Sequence, residues 1–77
     1  MPQTIRWPLI TIMNKVKNIL SGSLGVSLYY IDVKLRKVQE TEGNIIIEGT
    51  YTQFLLSGKF RIELGQADLG LVSLDIT

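Results

Sequence analysis

Between Leu28 and Leu56 apolar and polar residues alternate with a period of two, the spacing at which successive strand side chains point to opposite faces. Tyr29, Ile31, Val33 and Leu35 share one parity, with Tyr30, Asp32, Lys34 and Arg36 between them. Ile45, Ile47 and Tyr51 share another, with Glu48, Thr50 and Thr52 opposite. Keeping both apolar sets on one face predicts a hairpin closed by a three-residue loop, Thr41-Glu42-Gly43, with Gly43 left-handed. This register pairs Glu40 with Asn44, Val38 with Ile46, Arg36 with Glu48 and Tyr30 with Phe54 on the outer face. On the inner face Leu35 lies opposite Gly49, which leaves a gap for a packed helix to fill.

Upstream the period changes. Leu9, Ile12, Met13, Val16, Ile19 and Leu20 fall on one helical stripe, with Asn14, Lys15, Lys17 and Asn18 on the other side. A helix over 8–21 follows, with Pro8 at its first position and Gly22 as its left-handed cap. Residues 1–7 read as an extended arm, because Pro2 and Pro8 disfavour helix before them. Two roles are open for Trp7: it staples one end of the core, or the arm carries it onto another subunit.

Downstream, Ser57-Gly58 carries turn chemistry. A turn there pairs Leu55 with Phe60, Gln53 with Ile62 and Tyr51 with Leu64. Gly65 to Gly70 makes a third connection. Leu71 to Ile76 is then a fourth strand with Val72, Leu74 and Ile76 inward, pairing Phe60 with Ile76 and Arg61 with Asp75. A shift that sets Arg61 against Ser73 keeps the same faces. The expected fold is α+β, one domain over 1–77, with an N-terminal amphipathic helix on a four-stranded antiparallel meander (αββββ) across 27–77. This topology is similar to helix-on-meander folds such as cystatin-like and PepSY-like units, and the similarity implies no function.

Composition narrows the chemistry. The 77 residues include no histidine and no cysteine, which removes the commonest general base and metal ligand, the thiol nucleophile and disulfides. No catalytic residue, cofactor or metal site is expected. The carboxylates have basic partners in the inferred register or stand alone, and Asp68 with Gln66 offers too few ligands for calcium. Ser21 to Gly25 is glycine-containing but follows the helix, where the dipole repels phosphate. The apolar run from Trp7 to Met13 stops at Asn14 and Lys15, too short to cross a bilayer and without a cleavage site, so a cytoplasmic protein with no membrane partner is expected. Ten isoleucines and no cysteine are compatible with a thermophilic source.

The outer sheet face holds the candidate interaction residues. Tyr30 and Phe54 form one apolar spot, Val38 and Ile46 another, and Lys34, Arg36 and Arg61 lie between them. Together with Trp7 they suit an isologous contact with a second copy, and the open edges of the first and fourth strands offer another. A non-enzymatic, self-associating interaction or scaffold domain is the function expected. The alternatives are a nucleic-acid-binding accessory protein using the outer face, where Asp32, Glu48, Glu63 and Asp75 outnumber the bases, and a carrier of a small apolar ligand near Gly49.

Overall fold

The computed structural model describes residues 7–77, so the expectations for Ile5 and the rest of the arm before Trp7 lie outside the described residues. One N-terminal helix, α1 (Leu9–Leu24), packs on a four-stranded antiparallel sheet of order β1-β2-β3-β4: β1 (Ile31–Glu40), β2 (Asn44–Gln53), β3 (Leu56–Gly65) and β4 (Leu71–Ile76). The α+β meander is as the alternation predicts.

The helix begins as Pro8 turns its carbonyl to the amides of Thr11 and Ile12 at 3.0 and 3.1 Å, with Pro8 itself at the cap. It runs a turn past Gly22 and ends at Gly25, whose φ of 69° is the left-handed cap conformation. The Ser21 carbonyl receives the Gly25 and Val26 amides there, and the Ser21 hydroxyl donates to the Val26 carbonyl. Ile12, Val16 and Leu20, four residues apart, are fully buried. Leu9, expected in the same stripe, lies out of it and is exposed.

The buried helix residues cover Ile31, Ile45, Ile47, Tyr51, Phe60, Ile62 and Leu64 of the sheet. Leu69 from the β3–β4 loop completes this core with φ 58°, a contribution that a loop reading of 65–70 misses. At the same end the Trp7 indole N–H donates to the Gln66 carbonyl at 2.7 Å, and its ring packs against the core. The Gln66 side-chain amide reaches the carbonyls of Thr41 and Asn44 at 2.8 and 3.3 Å, and its backbone N–H donates to the Gly43 carbonyl at 3.0 Å. One residue thus ties Trp7, the β1–β2 turn and the β3–β4 loop together.

Three features of the register depart from expectation. The β1–β2 connection is tighter than three residues: the Thr41 amide donates to the Asn44 carbonyl at 2.8 Å, Gly43 sits at φ 83°, and Glu40 pairs with Ile45. A bulge between Leu35 and Lys37 absorbs the odd residue, so that Leu35↔Gly49 and Val33↔Tyr51 hold as predicted. Beyond it Lys37, not Arg36, faces Glu48, and Val38 turns inward against Ile47 instead of outward against Ile46. The first strand also starts later, because Leu28–Tyr30 form a 3-10 turn on Ser27, and Tyr29 is exposed, not inward.

The second departure is the β2–β3 turn. It is Phe54-Leu55, with Gln53 paired to Leu56, and Ser57-Gly58 lies within β3. Tyr51 therefore meets Gly58 instead of Leu64; the displacement is even, so every face is kept while every partner changes. The third departure is in β4. Phe60↔Ile76 and Arg61↔Asp75 pair as predicted, but a register shift at Glu63/Leu64 leaves Val72 exposed, not inward.

Nor does Gly49 leave a gap. A Cβ there would collide with the Lys34 carbonyl and lie 2.9 Å from Cζ of Phe60, so the Phe60 ring occupies the space expected for the helix or a ligand.

Candidate functional site

With Ile45, Ile47, Phe60, Ile62 and Leu64 inward, the opposite parity of each strand forms the outer face. Cross-strand neighbours line up as rungs. Behind the Phe54-Leu55 turn come Asp32–Thr52–Ser57, then Lys34–Thr50–Lys59, then Lys37–Glu48–Arg61–Asp75, then Gln39–Ile46–Glu63–Ser73. The third rung alternates in sign across all four strands. Arg61 is its hub, with Nε 3.8 Å from Glu48 Oε2 and a terminal nitrogen 3.8 Å from Glu63 Oε1. Asn44 Nδ2 donates to the other Glu63 oxygen at 2.6 Å. With Lys37 and Lys59 on this face and Arg36 in the bulge, the bases Lys34, Lys37, Lys59 and Arg61 match the acids Asp32, Glu48, Glu63 and Asp75 in number. The expected acidic excess is not there.

The sequence-predicted interaction residues therefore divide. Lys34, Ile46 and Arg61 stand on the outer face. Tyr30 and Phe54 stack at its end, ring centroids 5.3 Å apart and planes 24° from parallel. Trp7 belongs to the core cap, and Val38 packs against the core from the inner face. Arg36 borders an open groove of about 590 Å³ between the first turns of α1 and the bulge, floored by Leu9, Met13, Leu35 and Val38.

Sequence reasoning joined Tyr30 to Phe54 as an apolar spot but missed the rest of the turn end around them. Leu55 is 100% exposed, Tyr29 95% and Phe54 71%, and exposed Leu28, Tyr30 and Leu56 lie beside them. Phe54 has φ 52°, in the left-handed region that non-glycine residues seldom adopt. The signal available was the apolar run Phe54-Leu55-Leu56, which the glycine three residues later outweighed.

Among the described residues no three acidic side chains gather to hold a cation. Asp68 is engaged in its own loop, accepting from the Gly70 amide at 2.8 Å. Among the described residues no helix is long and apolar enough to cross a membrane. Set against protein-family models, curated proteins and solved structures, the chain matches none.

Proposed function

We propose that this chain is a self-associating protein-interaction domain without catalysis of its own, and that its outer sheet face pairs with the same face of a second copy. The alternating rung Lys37–Glu48–Arg61–Asp75 carries this reading. A row of four alternating charges is complementary to itself when reversed. A two-fold axis parallel to the strands performs that reversal: it lays β1 over the partner's β4 and β2 over the partner's β3, at unchanged height along the strands. Lys37 then faces Asp75 and Glu48 faces Arg61, each twice by symmetry.

The other rungs accept the same operation. Lys34 comes over Thr77, which extends β4 beside Lys59, and Thr50 comes over Lys59. Ile46 meets Glu63, and no like charges are opposed. A two-fold axis along the rungs would instead set each charge on its own copy. Sheets stacked in this way lie about 10 Å apart, a distance that long Lys, Arg and Glu side chains span.

The area sets the strength. Four strands at about 4.8 Å spacing and up to ten residues in length present roughly 600 Å² per copy. That total sits at the low end of specific interfaces and suits a reversible, salt-sensitive dimer. A phosphate backbone gains little from a face where acids match bases, which favours the protein partner over a nucleic acid.

Light scattering tests this reading. The native chain is expected to be dimeric at low salt and to dissociate as salt rises. Lys37→Glu and Asp75→Lys each oppose like charges twice and should weaken the homodimer at least roughly tenfold. Mixed together, the two variants restore every opposite-charge contact and should pair. A strict monomer, or a mixture no more associated than its components, would overturn the proposal.

A further inference from the structure

We propose that the Phe54-Leu55 end of the sheet is an anchor for an anionic lipid surface. Two unfavourable features coincide in this turn. A two-residue hairpin turn with positive φ at its first central position alone favours Gly there, yet it is Phe54 that adopts φ 52°. The same turn holds Leu55 fully in water. The core explains why the turn falls at this point, since Ile47↔Ile62 and Ile45↔Leu64 set the register. It does not explain why the turn is apolar.

The surroundings extend the tip. Leu56, Tyr30 and Leu28 are exposed, Tyr29 almost entirely so, and the Tyr30 ring braces Phe54. Exposed apolar residues gathered at one end of a sheet in this way mark an interaction site. The body measures 41 × 20 × 20 Å, and ten-residue strands of roughly 33 Å fit only along its long axis. The patch therefore lies at one end of the long axis, convex at Phe54-Leu55, with a hollow beside Leu28 and Tyr29.

Charge selects the occupant. Lys17 borders that hollow with Leu28 and Tyr29, and Lys34 and Lys59 flank Thr50 in the fourth pair behind the turn. Asp32 is the acid among them, whereas Glu40, Glu42, Glu63 and Asp68 lie at the opposite end of the sheet. Four residues is about 13 Å of strand, so apolar groups that enter a bilayer by about 5–10 Å leave these lysines at headgroup level. Phe54 and Leu55 then reach the acyl boundary, the tyrosines lie at headgroup level where such rings concentrate, and the lysines meet lipid phosphates. Two tips meeting end to end would instead set lysines against lysines.

Vesicle co-sedimentation tests this inference, which stands apart from the paired-sheet reading because Lys37→Glu and Asp75→Lys leave the tip intact. The native chain is expected to bind phosphatidylcholine vesicles containing phosphatidylserine and to bind pure phosphatidylcholine vesicles more weakly. Replacing Phe54-Leu55 by Gly-Asn puts glycine at the left-handed position and a polar residue after it, so the fold persists and binding should fall at least tenfold. Lys34 and Lys59 also stand on the proposed pairing face, so Lys34→Glu and Lys59→Glu are made in the Asp75→Lys background, where pairing is already lost; each should lower binding to the anionic vesicles by roughly fivefold or more. Leu55→Trp in a Trp7→Phe background should shift its emission to the blue on vesicle addition. If the native chain fails to bind anionic vesicles at low salt, or the Gly-Asn variant binds as well, the proposal is wrong. Tip-dependent association of chains without vesicle binding would reassign the tip to a protein contact.

Discussion

Gly49 shows how one missing side chain sets the packing of three strands. It lies between Leu35 and Phe60, and the Phe60 ring and Lys34 carbonyl close over the position where a Cβ would stand. Because the obstruction includes backbone, a rotamer change cannot relieve it. Gly49→Ala is expected to destabilise the fold by at least about 2 kcal/mol, read as a lower urea midpoint. Gln66 acts by hydrogen bonding. Gln66→Ala removes two side-chain bonds to the β1–β2 turn and should lose about 1–2 kcal/mol, while Trp7 keeps its bond because that bond goes to the backbone carbonyl. Tryptophan emission in the folded variant should therefore stay native even as the midpoint falls. A shifted emission would mean that Trp7 depends on the Gln66 side chain.

At the scale of elements, the Phe54-Leu55 turn sets stability against use. Gly-Asn at these positions removes the left-handed strain at Phe54, about 1–3 kcal/mol. The variant should melt higher than the native chain even as it loses the lipid surface, and a lower melting temperature would show that the apolar turn supports the fold. The same turn marks the limit of what was legible in the sequence. The alternation around Ile31–Leu35 and Ile45–Tyr51 gave the faces, and Arg61 with Asp75 gave the last register, because parity and charge pairing are local signals. Ser57-Gly58 has the residues of a turn and Phe54-Leu55 does not, so local chemistry pointed three residues too far along. Burial decided otherwise: the observed register sets Phe60 over Gly49 and Ile62 beside Ile47. The bulge after Leu35 was hidden for a related reason, since one residue fewer in the Thr41–Asn44 turn reappears several residues upstream. That displacement took Val38 off the outer face and replaced Arg36 by Lys37 in the charged rung. Gly25 overrode Gly22 as the helix cap because Leu20 and Leu24 both still pack on the core side.

At the scale of the whole molecule the two proposed surfaces become coupled by symmetry. A two-fold axis parallel to the strands leaves position along the strands unchanged, so both tips of a paired molecule point the same way. The axis that opposes Lys37 to Asp75 is thus the one that lets two tips meet one flat lipid surface, with the helices outward on either side. A second attached tip acts at a high effective concentration and raises affinity by about a hundredfold or more where geometry permits. Lys37→Glu and Asp75→Lys, each expected to be monomeric, should both bind anionic vesicles more weakly than the native chain, and their mixture should recover the native affinity. Simple electrostatics predicts something else, because the two substitutions change net charge in opposite directions: the first would weaken binding and the second would strengthen it. A vesicle titration of each variant and of the mixture at equal total protein separates the two outcomes. Weakening in both variants with recovery on mixing requires two tips on one face of a symmetric pair. Opposite shifts without recovery would leave each tip acting alone.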